Sequence, residues 1–410
     1  MSHDHSSLIA QLGESLTKHR YDSMVVHNYC RNAESFLHYL ERRKIAVEAA
    51  TPAEVSNYLR CAVRWFRQRH GYSCAPQWHS IPRSGIHALL RLVQKRWPPE
   101  PRTSDPGEIV CRAVCKEYRE WLSEKRGLAV ASVDDLMWEA RHFLAWCTNR
   151  TGVASFTELG IGDIDAYFEM RAPGLRRRSL KDVSERLRSL MRYLHKAGHT
   201  TVDLAPQIIM PRLYAYESIP SALSPEQIAA VLKSTRKDAS PMGWRDYAIL
   251  QLLSTYGLRA GEITHLRLDD IDWRAETLHI RHSKTGAYSL LPLMDPVGEA
   301  LIKYLHHGRP KTDAREIFIR TRAPYRPLSR IYSEVRRRLK VVGVKPHGKR
   351  GPHIFRHARA ISLLRSSVPL KVIGDLLGHR STEATIPYLK LATEDLRAIA
   401  LEIPGQEVRS

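Results

Sequence analysis

Two runs of helix-breaking residues set the limits on how this chain folds. The first is Trp97-Pro98-Pro99-Glu100-Pro101, extended by Asp105-Pro106-Gly107. The second runs from Ala205-Pro206 through Met210-Pro211-Arg212 to Ile219-Pro220-Ser221. Proline lacks the backbone N–H and its ring clashes with the preceding turn, so no helix continues through either run. A chain of 410 residues is too long for one ordinary core. The breaks predict three domains, over residues 1–97, 108–200 and 214–402.

The first two blocks share a pattern. Phe36-Leu37-His38-Tyr39-Leu40 is followed by Thr51-Pro52-Ala53-Glu54-Val55 and by Tyr58-Leu59. Phe143-Leu144-Ala145-Trp146 is followed by Ile161-Gly162-Asp163-Ile164 and by Tyr167-Phe168. Each block closes on a predicted helix, Ile86 to Trp97 in one and Val183 to His195 in the other. Apolar residues three and four apart make both blocks helical bundles. An internal duplication is the expected origin, and chance likeness between amphipathic helices is the alternative. The closing helix of the second block follows Arg176-Arg177-Arg178 and carries Arg186, Arg188, Arg192 and Lys196. These alternate with Leu187, Leu190, Met191 and Leu194, giving one packing face and one basic face suited to phosphates.

Charge narrows the partner. The formal net charge is +21 and the pI is near 9.9, while 43% hydrophobic and 26% charged residues exclude a disordered chain. A large excess of lysine and arginine supplies the counterion-releasing contacts that dominate DNA affinity. No run of eighteen apolar residues offers a membrane span, and the start of the chain lacks a secretory pattern, so a cytoplasmic location is expected. Six scattered cysteines include one close pair, Cys111 and Cys115, with no second pair at zinc spacing; neither a metal nor another cofactor is expected.

The third block opens with Ser224-Pro225-Glu226-Gln227, a helix start with a serine cap, proline in the first turn and an acidic residue favoured by the helix dipole. A second helix, from about Arg245 to Tyr256, carries Ile249, Leu250, Leu252 and Leu253 and stops at Gly257. Thr277–Ile280 and Ser289–Leu293 read as strands joined by a loop that holds Lys284, Thr285 and Gly286. Helices return after Leu328, so the chain is predicted to be mainly α with a small β-sheet in this block.

The chemistry-bearing residues lie here. Arg259 and Glu262 sit in Gly257-Leu258-Arg259-Ala260-Gly261-Glu262, and Lys284 in Ser283-Lys284-Thr285-Gly286. His353 and Arg356 sit in His353-Ile354-Phe355-Arg356-His357, His379 follows Leu377-Gly378, and Tyr388 stands alone beyond them. A phosphodiester resists attack because negative oxygens screen the phosphorus, and fixed cationic donors relieve that charge as it grows. Arginine forks at 259 and 356 suit two non-bridging oxygens. A covalent nucleophile keeps the bond energy without ATP, and Tyr388 is the candidate. A phenol ionises near pH ~10, so it needs a base, for which His353 is placed. Lys284 can protonate a departing 5′ oxygen, and His379 can hydrogen-bond a phosphate oxygen. Glu262 is expected to orient Arg259 or a neighbouring histidine.

This set resembles that of the tyrosine recombinases, the phage-integrase family. The Arg, Lys, His-x-x-Arg, His and Tyr pattern stands here as Arg259, Lys284, His353 with Arg356, His379 and Tyr388. The resemblance spans about Ser218 to Leu401, with supporting flanks at Arg245-Asp246-Tyr247-Ala248 and Leu376-Leu377-Gly378-His379. Residues 108–200 resemble the family's core-binding domain. It implies a mixed α/β catalytic domain behind helical bundles, gripping double-stranded DNA at specific recombination sites. It also implies a homo-tetramer on paired sites, or assembly with a related recombinase, and a 3′-phosphotyrosine at Tyr388 in each cut. Integration, excision or transposition of a mobile element is the expected role. Two features depart from the family: Leu389-Lys390 after the tyrosine, and the first hundred residues, which minimal members lack and which offer either a second DNA grip or a contact between protomers. A type IB topoisomerase, a silent DNA-binding regulator and a metal-dependent nuclease are the alternatives.

Overall fold

The computed structural model describes residues 5–75, 78–99, 105–151, 155–214, 222–282, 286, 288–346, 348 and 351–378. It divides into two compact units, one formed by residues 1–99 with 218–410 and the other by residues 100–217.

In the first unit, residues 5–94 form a bundle of α1 (His5–Lys18), α2 (Ser23–Arg42), α3 (Pro52–His70) and α4 (Ser80–Gln94). Leu8, Leu12 and Leu16 of α1 meet Ala33, Phe36 and Leu37 of α2 and Ile86, Leu89 and Leu90 of α4 in one core. The α3 start is a capping box: the Ala53 N–H donates to the Thr51 hydroxyl at 3.3 Å, and the Thr51 N–H donates to Glu54 at 2.9 Å. Trp97, predicted as helical, lies past the end of α4 and packs into the same core. Arg20 joins this bundle to the rest of the unit by donating from Nη1 to the Lys311 carbonyl at 2.7 Å.

The other unit holds α5 (Pro106–Glu120), α6 (Val130–Thr151), α7 (Ile161–Arg171) and α8 (Arg177–Lys196). Its core takes Val114 and Tyr118 from α5, Met137, Phe143 and Leu144 from α6, Ile164 and Tyr167 from α7, and Leu187, Leu190 and Leu194 from α8. Arg192 and Lys196 are exposed away from that core, while half-buried Arg186 faces Glu139 at 3.8 Å and Arg188 donates to the Ile208 carbonyl at 2.8 Å, so the basic face of α8 is narrower than its sequence predicts.

The two bundles repeat an aromatic arrangement. Phe36 and Tyr39 stack at 6.2 Å, and Tyr58 meets Phe36 edge-on at 5.3 Å. Phe143 and Trp146 stack at 6.3 Å, and Tyr167 meets Phe143 edge-on at 5.1 Å. Arg43 covers Tyr39 at 5.0 Å and Arg150 covers Trp146 at 5.1 Å.

Residues 222–378 are the mixed part. Ser224 caps α9 (Pro225–Arg236), accepting from the Gln227 N–H at 3.3 Å. Helix α10 (Pro241–Tyr256) begins one turn before the position read from sequence, because Ser240 caps it and Pro241 fits its first turn. Ile249, Leu250, Leu252 and Leu253 are all buried at the centre of the core. After α11 (Ala260–Thr264) comes an antiparallel sheet in the order β1 (Ile271–Asp272), β2 (Thr277–Arg281), β3 (Tyr288–Pro292). Leu278 pairs with Leu291 across β2 and β3 and with Ile271 across β1 and β2. Sequence periodicity missed β1, since two residues are too few to alternate. Next come α12 (Asp295–Lys303), α13 (Tyr332–Val341), α14 (His353–Arg365) and α15 (Leu370–Leu376). The predicted mainly helical chain with a small sheet is the fold observed. Buried Asp246 ties α13 to α10, accepting from Arg338 Nε at 2.8 Å and Arg337 Nη2 at 2.6 Å.

Candidate active site

The site grows from the stop of α10. Gly257 takes φ +67°, and its N–H caps the helix on the Leu253 carbonyl. A Cβ here would lie 2.9 Å from Leu377 Cδ2 and 3.3 Å from Arg359 Cβ, so the turn is glycine for both conformation and space. That reversal delivers Arg259 to the start of α11. Its N–H donates to Glu262 Oε2 at 2.7 Å, its Nη1 to Oε1 at 2.8 Å, and its Nη2 to the Gly378 carbonyl at 2.9 Å.

Glu262 is buried, at 3% exposure. Burial alone would raise its carboxyl pKa, but bonds from His282 and from the backbone and side chain of Arg259 outweigh it and hold the pKa below its ordinary value. A carboxylate only accepts, so His282 carries its proton on Nδ1 and donates to Oε1 at 2.8 Å. Its Nε2 lies within hydrogen-bond distance of the Ser289 hydroxyl, at 2.7 Å. Glu262 thus orients both Arg259 and a neighbouring histidine.

His282 is the residue that sequence reasoning missed. It is 2% exposed and directly follows the end of β2. A Cβ on Gly378, whose φ is +61°, would come within 2.5 Å of the His282 ring. No signal in the sequence points to it, because the contact with Gly378 joins residues far apart in the chain.

The predicted helical reading of the His353 segment holds, with both His353 and Arg356 in the first turn of α14. His353 is exposed, its ring 6.3 Å from that of His357 one turn on. Arg356 is 3% exposed; Nη1 donates to the Gly257 carbonyl at 2.9 Å and Nη2 to the Leu377 carbonyl. Beside them burial lowers the Arg359 guanidinium pKa. Arg259 and Arg356, far apart in sequence, therefore converge on one turn, Leu377-Gly378. Two guanidiniums against one carboxylate leave the turn cationic, the charge sign a pentavalent phosphate needs. Lys284, His379 and Tyr388 lie outside the described residues, although Gly378 immediately precedes His379.

The chain is similar to known proteins. The model of the phage integrase family matches residues 221–395. A Sinorhizobium fredii protein named "Putative integrase/recombinase y4gC" is 68% identical over 190 residues, 46% of this chain and 99% of that protein. The chain belongs to the phage integrase family. As a tyrosine recombinase it cleaves and rejoins DNA in site-specific recombination. The fold agrees too. The crystal structure of XerH site-specific recombinase bound to palindromic difH substrate has a TM-score of 0.56 at 15% identity, covering 73% of this chain and 98% of that one. A lambda integrase tetramer bound to a Holliday junction gives 0.52 at 18%, covering 77% and 88%.

Proposed function

We propose that Tyr388 attacks the scissile phosphorus, giving a 3′-phosphotyrosine and a free 5′-hydroxyl. The phenol proton passes to His353, and Lys284 protonates the departing 5′ oxygen. Arg259 and Arg356 hold the two non-bridging oxygens, with His379 donating to one of them. Attack of a second strand's 5′-hydroxyl on the phosphotyrosine then releases Tyr388. One phosphoryl bond is broken and one made at each step, so the exchange needs no ATP. What supports the assignment is the convergence of both arginines on the Leu377 and Gly378 carbonyls.

The substrate is double-stranded DNA carrying paired recombination sites, and the cytoplasm is the proposed location. A tetramer of this chain, or one shared with a related recombinase, carries out the exchange; the DNA-bound tetramer among the similar structures supports that assembly. Residues 1–97, 108–200 and 214–402 are taken as three domains, the first and third within one compact unit, and the repeated aromatic arrangement supports a duplication behind the first two. The extra bundle favours integration, excision or transposition of a mobile element.

The test uses Lys284→Ala with matched DNA, one duplex carrying the natural 5′ oxygen at the cut and one carrying sulfur. A thiolate leaves without a proton, so the variant should lose about 100-fold or more on oxygen and recover on sulfur, given the usual worth of general-acid catalysis. Equal loss on both would remove Lys284 from that role.

A further inference from the structure

From Val55 to Pro99 the sequence contains no acidic residue and eight arginines and lysines, all exposed. Residues 1–54 are nearly balanced, seven acidic against six basic. So the positive charge of the first bundle is confined to α3, α4 and the segments that follow them.

Helix α3 carries it in an unusual form. It has nineteen residues, of which only Val55 and Leu59 are buried, both in its first half. The corresponding α7 has eleven residues, buries Ile164 and Tyr167, and stops after that contact. Helix α3 continues for two further turns with nothing buried beneath them. At ~100° per residue, Arg60, Arg64 and Arg67 fall within about 60° of arc, roughly 130° away from Val55 and Leu59. Among the described residues no carboxylate pairs with these three, and Arg60 bonds Asn57 on its own helix.

The extension is braced. Phe66 packs on His70 at 4.4 Å and on Trp78, ahead of α4, at 5.4 Å, while Arg69 lies over Trp65 at 5.2 Å. A solvated face alone would need no such bracing. A second copy of the helix would bring like charge, so the complementary surface is a polyanion. Three arginines along ~10 Å of helix can reach neighbouring phosphates of one strand, which advance by ~3.4 Å each along the duplex axis.

We propose that the Arg60–Arg64–Arg67 stripe grips the sugar-phosphate backbone of duplex DNA, as a contact additional to those of α8 and the catalytic residues. It rests on DNA as the substrate but not on which residue is the nucleophile. Phosphate contacts position without reading sequence, so the stripe strengthens binding to every duplex alike.

The test measures the affinity of the full chain for a 40-base-pair duplex of mixed arbitrary sequence across a salt series. Arg60→Gln/Arg64→Gln/Arg67→Gln should flatten the log–log salt slope by about 3, near 0.9 per lost contact. Covalent-adduct formation at saturating protein should persist in this variant. Tyr388→Phe should do the reverse, losing the adduct with the slope intact, so the two readings fail separately. Phenylglyoxal modification of the unmutated chain, mapped by mass spectrometry, guards against a folding artefact: the duplex should shield these three arginines. An unchanged slope, or no shielding, overturns the proposal. Loss of self-association in place of DNA affinity would also overturn it, assigning α3 to a second copy of the chain.

Discussion

The first and second bundles place the same apolar groups on corresponding helices and differ in the polar groups around them. Ala33, Phe36 and Leu37 are buried on α2, and Ala140, Phe143 and Leu144 on α6. Even the arginine over the second aromatic recurs, as Arg43 over Tyr39 and Arg150 over Trp146. One turn before each phenylalanine the likeness ends. Half-buried Asn32 donates to the Asn28 carbonyl at 2.6 Å. Glu139 is fully buried: it accepts from the Tyr167 hydroxyl at 2.6 Å and faces Arg171 at 3.5 Å and Arg186 at 3.8 Å. An apolar pattern thus fixes the scaffold, while a single buried carboxylate decides whether arginines are held at its rim. The first bundle has no counterpart to that carboxylate and puts its arginines on a protruding helix.

The largest effects should be common to both bundles. Phe36→Ala and Phe143→Ala should each cost about 3–5 kcal/mol by chemical denaturation, from lost burial plus a cavity. A cost in one without the other would break the structural equivalence. Next, Glu139→Ala should cost about 3 kcal/mol, toward the low end for breaking a buried ion pair because Arg171 and Arg186 are partly exposed. Asn32→Ala should cost under about 1 kcal/mol, and equal costs would show that Glu139 adds nothing its counterpart lacks.

The smallest effect separates the caps. The hydroxyl of Thr51 is the main cause holding the Glu54 carboxyl below its ordinary pKa. A depressed carboxylate stabilises the folded state above its unfolded pKa of ~4.3 and loses that contribution as pH falls through the folded value. Glu54→Gln should therefore cost about 0.5–1 kcal/mol near neutral pH and nothing in acid. A cost that persists at pH 2 would assign the effect to packing.

Much of this was legible because it rests on local chemistry. Ser224, Gly257 and the run from Ile249 to Leu253 mark helix ends and a buried face directly. The arginine motifs lead to the right turn because their order is itself distinctive. His282 was not legible: a lone histidine after a strand has no periodicity, and its role appears only when Gly378 packs on its ring. Glu139 was hidden for a similar reason. On an amphipathic helix a glutamate is expected on the solvent face, and only Tyr167, Arg171 and Arg186, all at least 28 residues later, make burial tolerable. Pairing of that range lies beyond any helical window.

The most direct measurement uses a nicked duplex spanning an end of the DNA element that encodes the chain, with the nick placed so that rejoining is blocked. The full chain and Tyr388→Phe are incubated with it in excess EDTA and resolved on denaturing gels. A 3′-linked protein–DNA adduct from the unmutated chain alone, mapped to Tyr388, is the predicted result. An adduct that survives Tyr388→Phe, or cleavage that demands a divalent metal, would contradict the account.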